Sequence, residues 1–468
     1  MGGLLQGFDV SSLSAIIGTD QYKIYFNNPS SVKQGGITAS MAGGSLLGAL
    51  FSSWTGDRYG RRDSLFVACC IWIVGSALMC AVQNTAMLIV SRIINGFAVG
   101  MLTSQGPILI AELSTPQIRG RLLSLQQWMI TWGILIMYFV SFGTSYINST
   151  ASFRLPWGLQ MIPGIVLMIF VPFLPRSPRW LASKDRWDEA IDILAALHAR
   201  GDRHSPLVLT EVREIKEKIE IERQSRTMSW AELFTRKNII RVHCAIFAHI
   251  WSQYSGTNAM MYYIVYIFQM AGLSGNFTLI AASIQYVINV VMTVAETEGD
   301  DDRKCGLNGV KTVTWVVNDD SASKAIIACS YLFIATFAVS WGPAGWIYPA
   351  EIIPLYIRSK TVSLATLFNW AMNFSLTFWT PPGFQHIQWK VHIIFGTLCV
   401  CAFIHVFLLF QESCGKSLEQ MDDVFNNESV WAFRVKYNRA EFREAIERTT
   451  DEVKEDSKVH VEIEEHRV

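Results

Sequence analysis

The chain has 468 residues, of which 51% are hydrophobic and only 17% charged, against about 25% charged in ordinary soluble domains. Its 39 basic and 39 acidic residues cancel, which removes the electrostatic case for a nucleic-acid partner, and a mean hydropathy of +0.27 argues against a water-soluble domain. The nine cysteines, an odd count placed mostly in apolar stretches such as "ACC" at 68–70 and "CVC" at 399–401, show neither metal-ligand spacing nor a disulfide framework, and no cofactor is implied.

Uncharged runs cover 64–83, 93–111, 122–153, 242–295, 325–350, 361–389 and 391–411. A bilayer span takes roughly 20 apolar residues, and hydrocarbon admits only structures that satisfy their own backbone. The fold class expected is therefore all-α, a polytopic membrane protein. Eleven spans are predicted, near 2–19, 36–56, 64–83, 86–113, 122–142, 157–174, 242–270, 277–296, 326–349, 361–382 and 391–410. Met1 leads directly into "GGLLQGFDVSS", without the basic region of a cleavable signal.

The loop "GDRYGRRD" at 56–63, "RGR" at 119–121 and the long loop 176–241 carry the basic residues, which places all three on the cytoplasmic side. The opposite loops hold "NST" and "NFT", so Asn148 and Asn276 are glycosylation candidates. Sequons at Asn373 and Asn427 fall in a span and in the tail, where they are taken as chance. Within 176–241, "DRWDEAIDILAALHA" and "TEVREIKEKIEIERQ" repeat apolar residues every three or four positions among charges, the pattern of amphipathic cytosolic helices bracing the membrane face. The tail ending "EDSKVHVEIEEHRV" is charge-dense and poor in aromatics, a composition that does not build a core.

One short stretch occurs nearly twice: "AELSTPQIRG" at 111–120 and "AEIIPLYIRS" at 350–359, each ending a long apolar run. The repetition signals a parallel duplication, two similar bundles that rock about a midplane site. The expected division is a bundle over 1–175, a cytosolic linker over 176–241, a second bundle over 242–410 and a tail over 411–468. Glu112 with Arg119, and Glu351 with Arg358, sit where charged side chains can bond across to the other bundle. With Asp57, Arg58, Arg61, Arg62 and Arg179 they form a predicted latch that closes the cytoplasmic side and breaks on opening.

The stretches "GDRYGRR" (56–62), "AELSTPQIRGR" (111–121), "PRSPRWL" (175–181), "QYSGTNAMMYY" (253–263), "GWIYPAEIIPLYIRSK" (345–360) and "QESCGKSLEQMDDVF" (411–425) resemble the sugar porters of the major facilitator superfamily. The segments "NGVKTVTWVVNDDSASKAIIACSYLF" and "QQWMITWGILIMYF" are most similar to fungal high-affinity hexose transporters. That resemblance implies two pseudo-symmetric bundles of six helices, residence in the plasma membrane, and uptake of a monosaccharide such as glucose, often together with a proton. It implies no obligate protein partner; the lipid bilayer, the sugar and the proton are the partners expected.

A pyranose needs groups that both donate and accept hydrogen bonds, which among uncharged side chains means Gln and Asn. By resemblance, Gln127, Gln253, Asn258, Asn289 and Asn373 bind hydroxyls, Trp346 lies under the ring, and Tyr262 and Tyr263 form an outer gate. "SQYSGTN" at 252–258 also sets these amides beside Ser-Gly-Thr, where a helix can open. Asp9 and Arg92 stand alone inside apolar spans, and intramembrane charges are functional by default and usually paired. Sugar–proton symporters carry an acid and an arginine at these points, which implies proton coupling through the pair.

The chain departs from its relatives in three places. "ETEGDDDRKCGLNGVKTVTWVVNDDSASK" at 296–324 stands where a ninth helix is expected, with ten charged residues between 298 and 324 and no uncharged span. About 11 of the 12 helices are thus expected, and a lost crossing would invert the helices that follow. Only eight residues precede Asp9, so the chain opens within the first helix, and Arg176 stands where relatives usually have Glu. A sugar sensor and a transport-defective product are the alternatives to a transporter. Nothing among the nine histidines suggests an enzyme, with no HExxH spacing or nucleophile elbow present.

Overall fold

A computed structural model describes residues 2–114, 116–203, 205, 208–209, 212–213, 215–216, 219, 233–235, 238–270, 281–290, 320–353, 355–411 and 425. Every regular element among them is helical, as lipid requires of a backbone whose only partner is itself. The first half runs α1 (Gly2–Ile16), α2 (Asp20–Tyr25), α3 (Ser31–Tyr59), α4 (Arg61–Cys80), α5 (Thr85–Leu113), α6 (Pro116–Thr144), α7 (Ala151–Leu159) and α8 (Met161–Phe170). Two short helices, α9 (Pro178–Ser183) and α10 (Trp187–His198), follow. The second half runs α11 (Ile239–Tyr254), α12 (Thr257–Met270), α13 (281–290), α14 (Asp320–Val339), α15 (Trp341–Ile352), α16 (Leu355–His386) and α17 (Lys390–Leu409). By contacts the chain forms two compact units, Met1–Phe403 and Ile404–Val468.

The interior holds a large apolar core together with many polar side chains. Asp9, Arg92, Asn95, Gln160, Gln253, Gln285, Asn289, Asn369 and Asn373 are buried, while Phe170, Phe173, Val400 and Phe403 stand exposed. An apolar surface over a core that also holds polar groups is the arrangement of a chain dissolved in lipid. Among the described residues five segments are long and apolar enough to span a bilayer: Arg61–Cys80, Thr85–Ile110, Leu125–Thr144, Ala151–Phe173 and Lys390–Leu409. The other expected spans fall short of that measure among the described residues, being shorter there, broken, or richer in polar residues.

Local chemistry sets the helix ends. Ser30 Oγ accepts from Lys33 N at the start of α3, and Asn84 Oδ1 accepts from Met87 N at 2.8 Å at the start of α5. Where continuous spans were expected, three breaks occur. Over 157–174 the helix divides at Gln160, because Pro163 has no N–H for the carbonyl of Leu159; the Gln160 carbonyl instead accepts from Trp72 Nε1 at 3.0 Å. Over 326–349 it divides at Ser340, just ahead of Gly342 and Pro343. Over 242–270 it divides at Gly256.

The tightest packing joins α3 to α5. Gly44 and Gly48 on α3 face Gly96 and Gly100 on α5, and a Cβ on Gly48 or Gly96 would be driven into the carbonyl oxygen of Phe97 or Met41. Small residues four apart let two backbones touch, which is how helices associate where no hydrophobic effect drives them. Gln105 Nε2 donates to the Ser52 carbonyl at 2.7 Å across the same seam.

Between the two halves the expected amphipathic periodicity is present: Leu181, Ala182, Ala190, Leu194 and Ala195 pack with Val208, Val212, Ile215 and Ile219 in a small core of their own. The remainder of that loop, the polar stretch over 296–319 and nearly all of the tail lie outside the described residues.

The late helices are not inverted. Ring contacts pair Phe268 with Tyr331, and His249 with Trp346, so α14–α15 runs antiparallel to α11–α12. Gln253 meets Asn369 and Asn373 while Tyr263 meets Thr377, so α16 runs parallel to them. The reversal expected from a lost crossing is therefore absent among the described residues.

Gly96→Leu is expected to force α3 from α5 and cost about 1–3 kcal/mol, seen as a lowered unfolding midpoint in detergent. Gly143→Ala, whose added Cβ meets nothing within 4 Å, is expected to melt like wild type.

Candidate functional site

The site begins at the break between α11 and α12. Gly256 has φ +92, and a Cβ there would also meet the Phe395 ring at 2.8 Å; glycine alone satisfies both limits. In an unbroken helix Gln253 and Asn258 would point about 140° apart. The turn at Gly256 closes that angle, and Asn258 Nδ2 donates to Gln253 Oε1.

Gln253 is the hub of a buried amide network. Its Oε1 also accepts from Asn373 Nδ2 at 3.0 Å, and its Nε2 donates to Asn369 Oδ1 at 2.8 Å. Thr377 Oγ1 donates to the Asn373 carbonyl at 2.6 Å. Three helix segments thus contribute amides to one place: α11 gives Gln253, α12 gives Asn258, and α16 gives Asn369 and Asn373.

Trp346 lies beside His249, their rings meeting edge to face with centroids 5.0 Å apart. The break at Ser340 brings Gly342 beside the Gln127 amide, 3.7 Å from where a Cβ would stand. Gln253, Asn258 and Asn373 are thus bonded to one another, whereas Gln127 and Trp346 meet Gly342 and His249 rather than those amides. Asn289 is buried on α13, four residues after Gln285, which is fully buried with no hydrogen bond to either amide atom among the described residues. Asn369 and His249 were not singled out from the sequence, although each stands four residues before a residue that was (Asn373 and Gln253), one helical turn away on the same face.

The two tyrosines are both buried and hold α12 to different halves of the chain. Tyr262 Oη reaches Met41 Sδ on α3 at 3.7 Å, whereas Tyr263 Oη donates to the Thr377 carbonyl on α16 at 2.9 Å. The Met261 carbonyl accepts from Ser14 Oγ on α1 at 2.9 Å and from Tyr286 Oη on α13 at 2.8 Å. The broken helix is thereby seated on first-half helices.

Asp9 and Arg92 are fully buried and form an ion pair with 3.6 Å between Oδ2 and Nη2, too long for a hydrogen bond. Arg92 Nε donates to the Ile37 carbonyl at 3.0 Å. Neither Asp9 oxygen has a hydrogen-bond donor among the described residues. The guanidinium is anchored to α3 whether or not Asp9 is charged, and the carboxylate depends on it alone.

At the junction of α3 and α4 Arg61 donates to Asp57 Oδ1 at 3.0 Å and to the Gly56 carbonyl at 2.6 Å, and lies 3.6 Å from Glu112 Oε1. Arg62 donates to Asp63 Oδ1 at 3.0 Å and to the Pro172 carbonyl at 3.1 Å. Arg176 donates to Asp63 Oδ2 at 2.9 Å, so the arginine that departs from the family pattern shares Asp63 with Arg62. Arg58 stacks on Trp54, 5.5 Å from the ring centroid. Arg179 lies on α9 outside these pairs among the described residues, and the side chains of Arg119, Glu351 and Arg358 lie outside what is described. Asn148 is exposed and its Oδ1 accepts from Gln21 at 3.2 Å; Asn276 lies outside the described residues.

The family model "Sugar (and other) transporter" matches residues 1–297 and 305–425. The chain is 42% identical to a high-affinity glucose transporter of Kluyveromyces lactis over 92% of this chain and 84% of that protein. It is 43% identical to high-affinity glucose transporter 1 of Candida albicans over 93% of this chain and 85% of that protein. Among solved structures, a major facilitator superfamily proton:xylose symporter, XylE, bound to 6-bromo-6-deoxy-D-glucose superposes with a TM-score of 0.75 at 24% identity, covering 91% of this chain and 97% of that one. The fold is that of the superfamily, and the relatives are transporters, not enzymes.

Removing Arg92 strands the Asp9 charge, so Arg92→Leu is expected to cost about 3–5 kcal/mol. Asp9→Asn added to Arg92→Leu is expected to recover part of that loss; a double variant melting no higher than Arg92→Leu alone would mean the stranded carboxylate is not the source.

Proposed function

The chain belongs to the sugar transporter family, and from that premise we propose that it carries a monosaccharide, glucose foremost, across the plasma membrane by alternating access, with a proton moving in the same direction. The observation that supports this most directly is the amide network at the broken helix. Gln253, Asn258, Asn369 and Asn373 gather donors and acceptors in a water-poor interior, and sugar hydroxyls are both. Trp346, whose ring meets that of His249 one turn before Gln253, offers the flat apolar face on which a pyranose ring rests. Gln127 reaches in from α6, and Asn289 supplies a further amide from α13.

Movement follows from the way α12 is held. Seated on α1 and α3 by Met261 and Tyr262, it closes the outer side. Opening requires those contacts to part while Tyr263 keeps α12 on α16. The bundles over 1–175 and 242–410 then pivot about the amides, with the linker over 176–241 between them. On the inner side the latch is built on Asp57, Arg58, Arg61, Arg62 and Glu112, with Arg119, Arg179, Glu351 and Arg358 completing it. Glycans at Asn148 and Asn276 would mark the outer face.

The proton acts at Asp9. A carboxylate buried without hydrogen bonds is tolerated by a counter-charge or by a proton, and taking up a proton dissolves the pair with Arg92. The gradient then drives the step that the pair otherwise resists.

In proteoliposomes holding the full chain, labelled glucose is expected to enter and to accumulate when the outside is more acidic. Asp9→Asn is expected to retain exchange and lose accumulation; accumulation unchanged in that variant would remove Asp9 from the coupling. Gln253→Leu leaves three amides with unmet bonds and is expected to raise the KM for glucose about tenfold to a hundredfold. Binding of glucose without uptake by wild type would instead favour a sensor.

A further inference from the structure

A carboxamide buried in a dry interior normally bonds, because leaving it unmet costs the full penalty of taking it out of water. Two in this chain, Gln160 and Gln285, are buried at both amide atoms with no hydrogen bond to either among the described residues. Gln160 sits at the α7–α8 break within the first half, where its carbonyl takes Trp72. Gln285 is on α13, the helix that also carries Asn289.

The surroundings of α13 decide which way Gln285 faces. Successive residues turn about 100° around a helix, so Gln285 and Asn289 share one stripe about 40° wide. Val287, 40% exposed, stands on the opposite side of α13, so the stripe faces the protein interior and not lipid. Tyr286, the next residue, holds the same helix where the halves meet. Its Oη donates to the Met261 carbonyl on α12 at 2.8 Å and lies 3.0 Å from Ser14 Oγ on α1. Its ring packs on Tyr138 of α6, with centroids 4.7 Å apart. The tyrosine hydroxyls beside this stretch are already committed, Tyr286 to Met261 and Tyr331 to the Ala281 carbonyl at 2.8 Å. Gln285 keeps a bonding capacity that no described protein group uses.

We infer that Gln285 is a sugar-contacting residue that sets specificity: its unpartnered carboxamide, one turn from Asn289 on the inward stripe of α13, bonds a hydroxyl of the passing sugar. The inference rests on the transport reading above and gives Gln285 no part in proton movement. Side chains one turn apart start about 5–6 Å from each other, a separation that suits two hydroxyls of one pyranose ring. Gln253 must release Asn258, Asn369 or Asn373 to meet a sugar, so its exchange of bonds gains little. Gln285 releases nothing, and its bond to the sugar counts in full. The same reasoning makes the amide a burden on the sugar-free protein, a loss of stability kept for function.

The test uses the full chain, melted in detergent without sugar and assayed in proteoliposomes with glucose and its monodeoxy analogues. Gln285→Met keeps the length of the side chain and removes its bonding atoms. It is expected to melt at or above the wild-type temperature, since an unmet amide is gone. It is also expected to raise the glucose KM about tenfold to a hundredfold with kcat changed less than about threefold. Wild type is expected to reject one monodeoxy analogue about tenfold or more in kcat/KM, and Gln285→Met to accept that analogue and glucose within about threefold of each other. The proposal is overturned if every analogue ratio stays as in wild type. A lowered melting temperature beside unchanged ratios also overturns it, and assigns the amide to internal water or packing. Should Gln285→Met not insert, Gln285→Leu takes its place with the same expectations, and failure of both to insert overturns the proposal in favour of packing. A wild type that neither binds nor moves glucose rejects the transport reading itself, a result separate from every comparison among variants.

Discussion

In hydrocarbon a polar side chain has no water to fall back on. It can bond to the backbone of its own helix, to another polar side chain, or to a passenger. Most buried serines and threonines here take the first course, donating to the carbonyl three or four residues back, as Ser45 and Thr103 do. Amides cannot be satisfied that way, because a carboxamide brings two donors and an acceptor. Four of them, Gln253, Asn258, Asn369 and Asn373, bond to one another, and they make a polar point inside the second half. The same constraint that holds the helices together creates the site.

Helix breaks decide where the amides meet. A continuous α11–α12 would send Gln253 and Asn258 to different faces, and a continuous α14–α15 would leave no gap near Gly342 for Gln127. Each break has a local cause: glycine at positive φ with an aromatic ring against it at 256, and proline three residues on, at 163 and 343, in the other two. Broken helices at membrane depth are tolerated where they line protein interior, and two of these three lie beside the amide network.

Much of this was legible in the sequence because hydrophobicity and charge are linear signals. The uncharged runs located the helices, the intramembrane Asp9 and Arg92 announced a pair, and "SQYSGTN" announced a loosened helix. What escaped were partners defined by three-dimensional neighbourhood. Asn369 is one amide among many until it lies against Gln253, and His249, weighed in the sequence only as a candidate for enzyme chemistry, is one histidine among nine until it meets the Trp346 ring. Helical spacing from Asn373 and Gln253 was the available clue. Arg176 is the opposite case: as a charge it departed from the family pattern, yet Asp63, 113 positions earlier, receives it.

The ion pair and the amide network are joined by a short physical route. Arg92 holds α3 at Ile37, and one turn further along the same helix Met41 receives Tyr262. Tyr262 sits on α12 one turn beyond Asn258, which donates to Gln253. Freed from Asp9, the guanidinium can settle on α3 carbonyls alone, and any shift of α3 is felt first at the Tyr262 contact, the weakest of those that seat α12. A sugar drawn to Gln253 pulls on the same element from the other end, through Asn258. Two ligands that act on one hinged helix must each alter the other's binding, because coupling free energy is reciprocal. Proton and sugar need no direct contact to be coupled; it is enough that α12 cannot answer one without moving relative to the other.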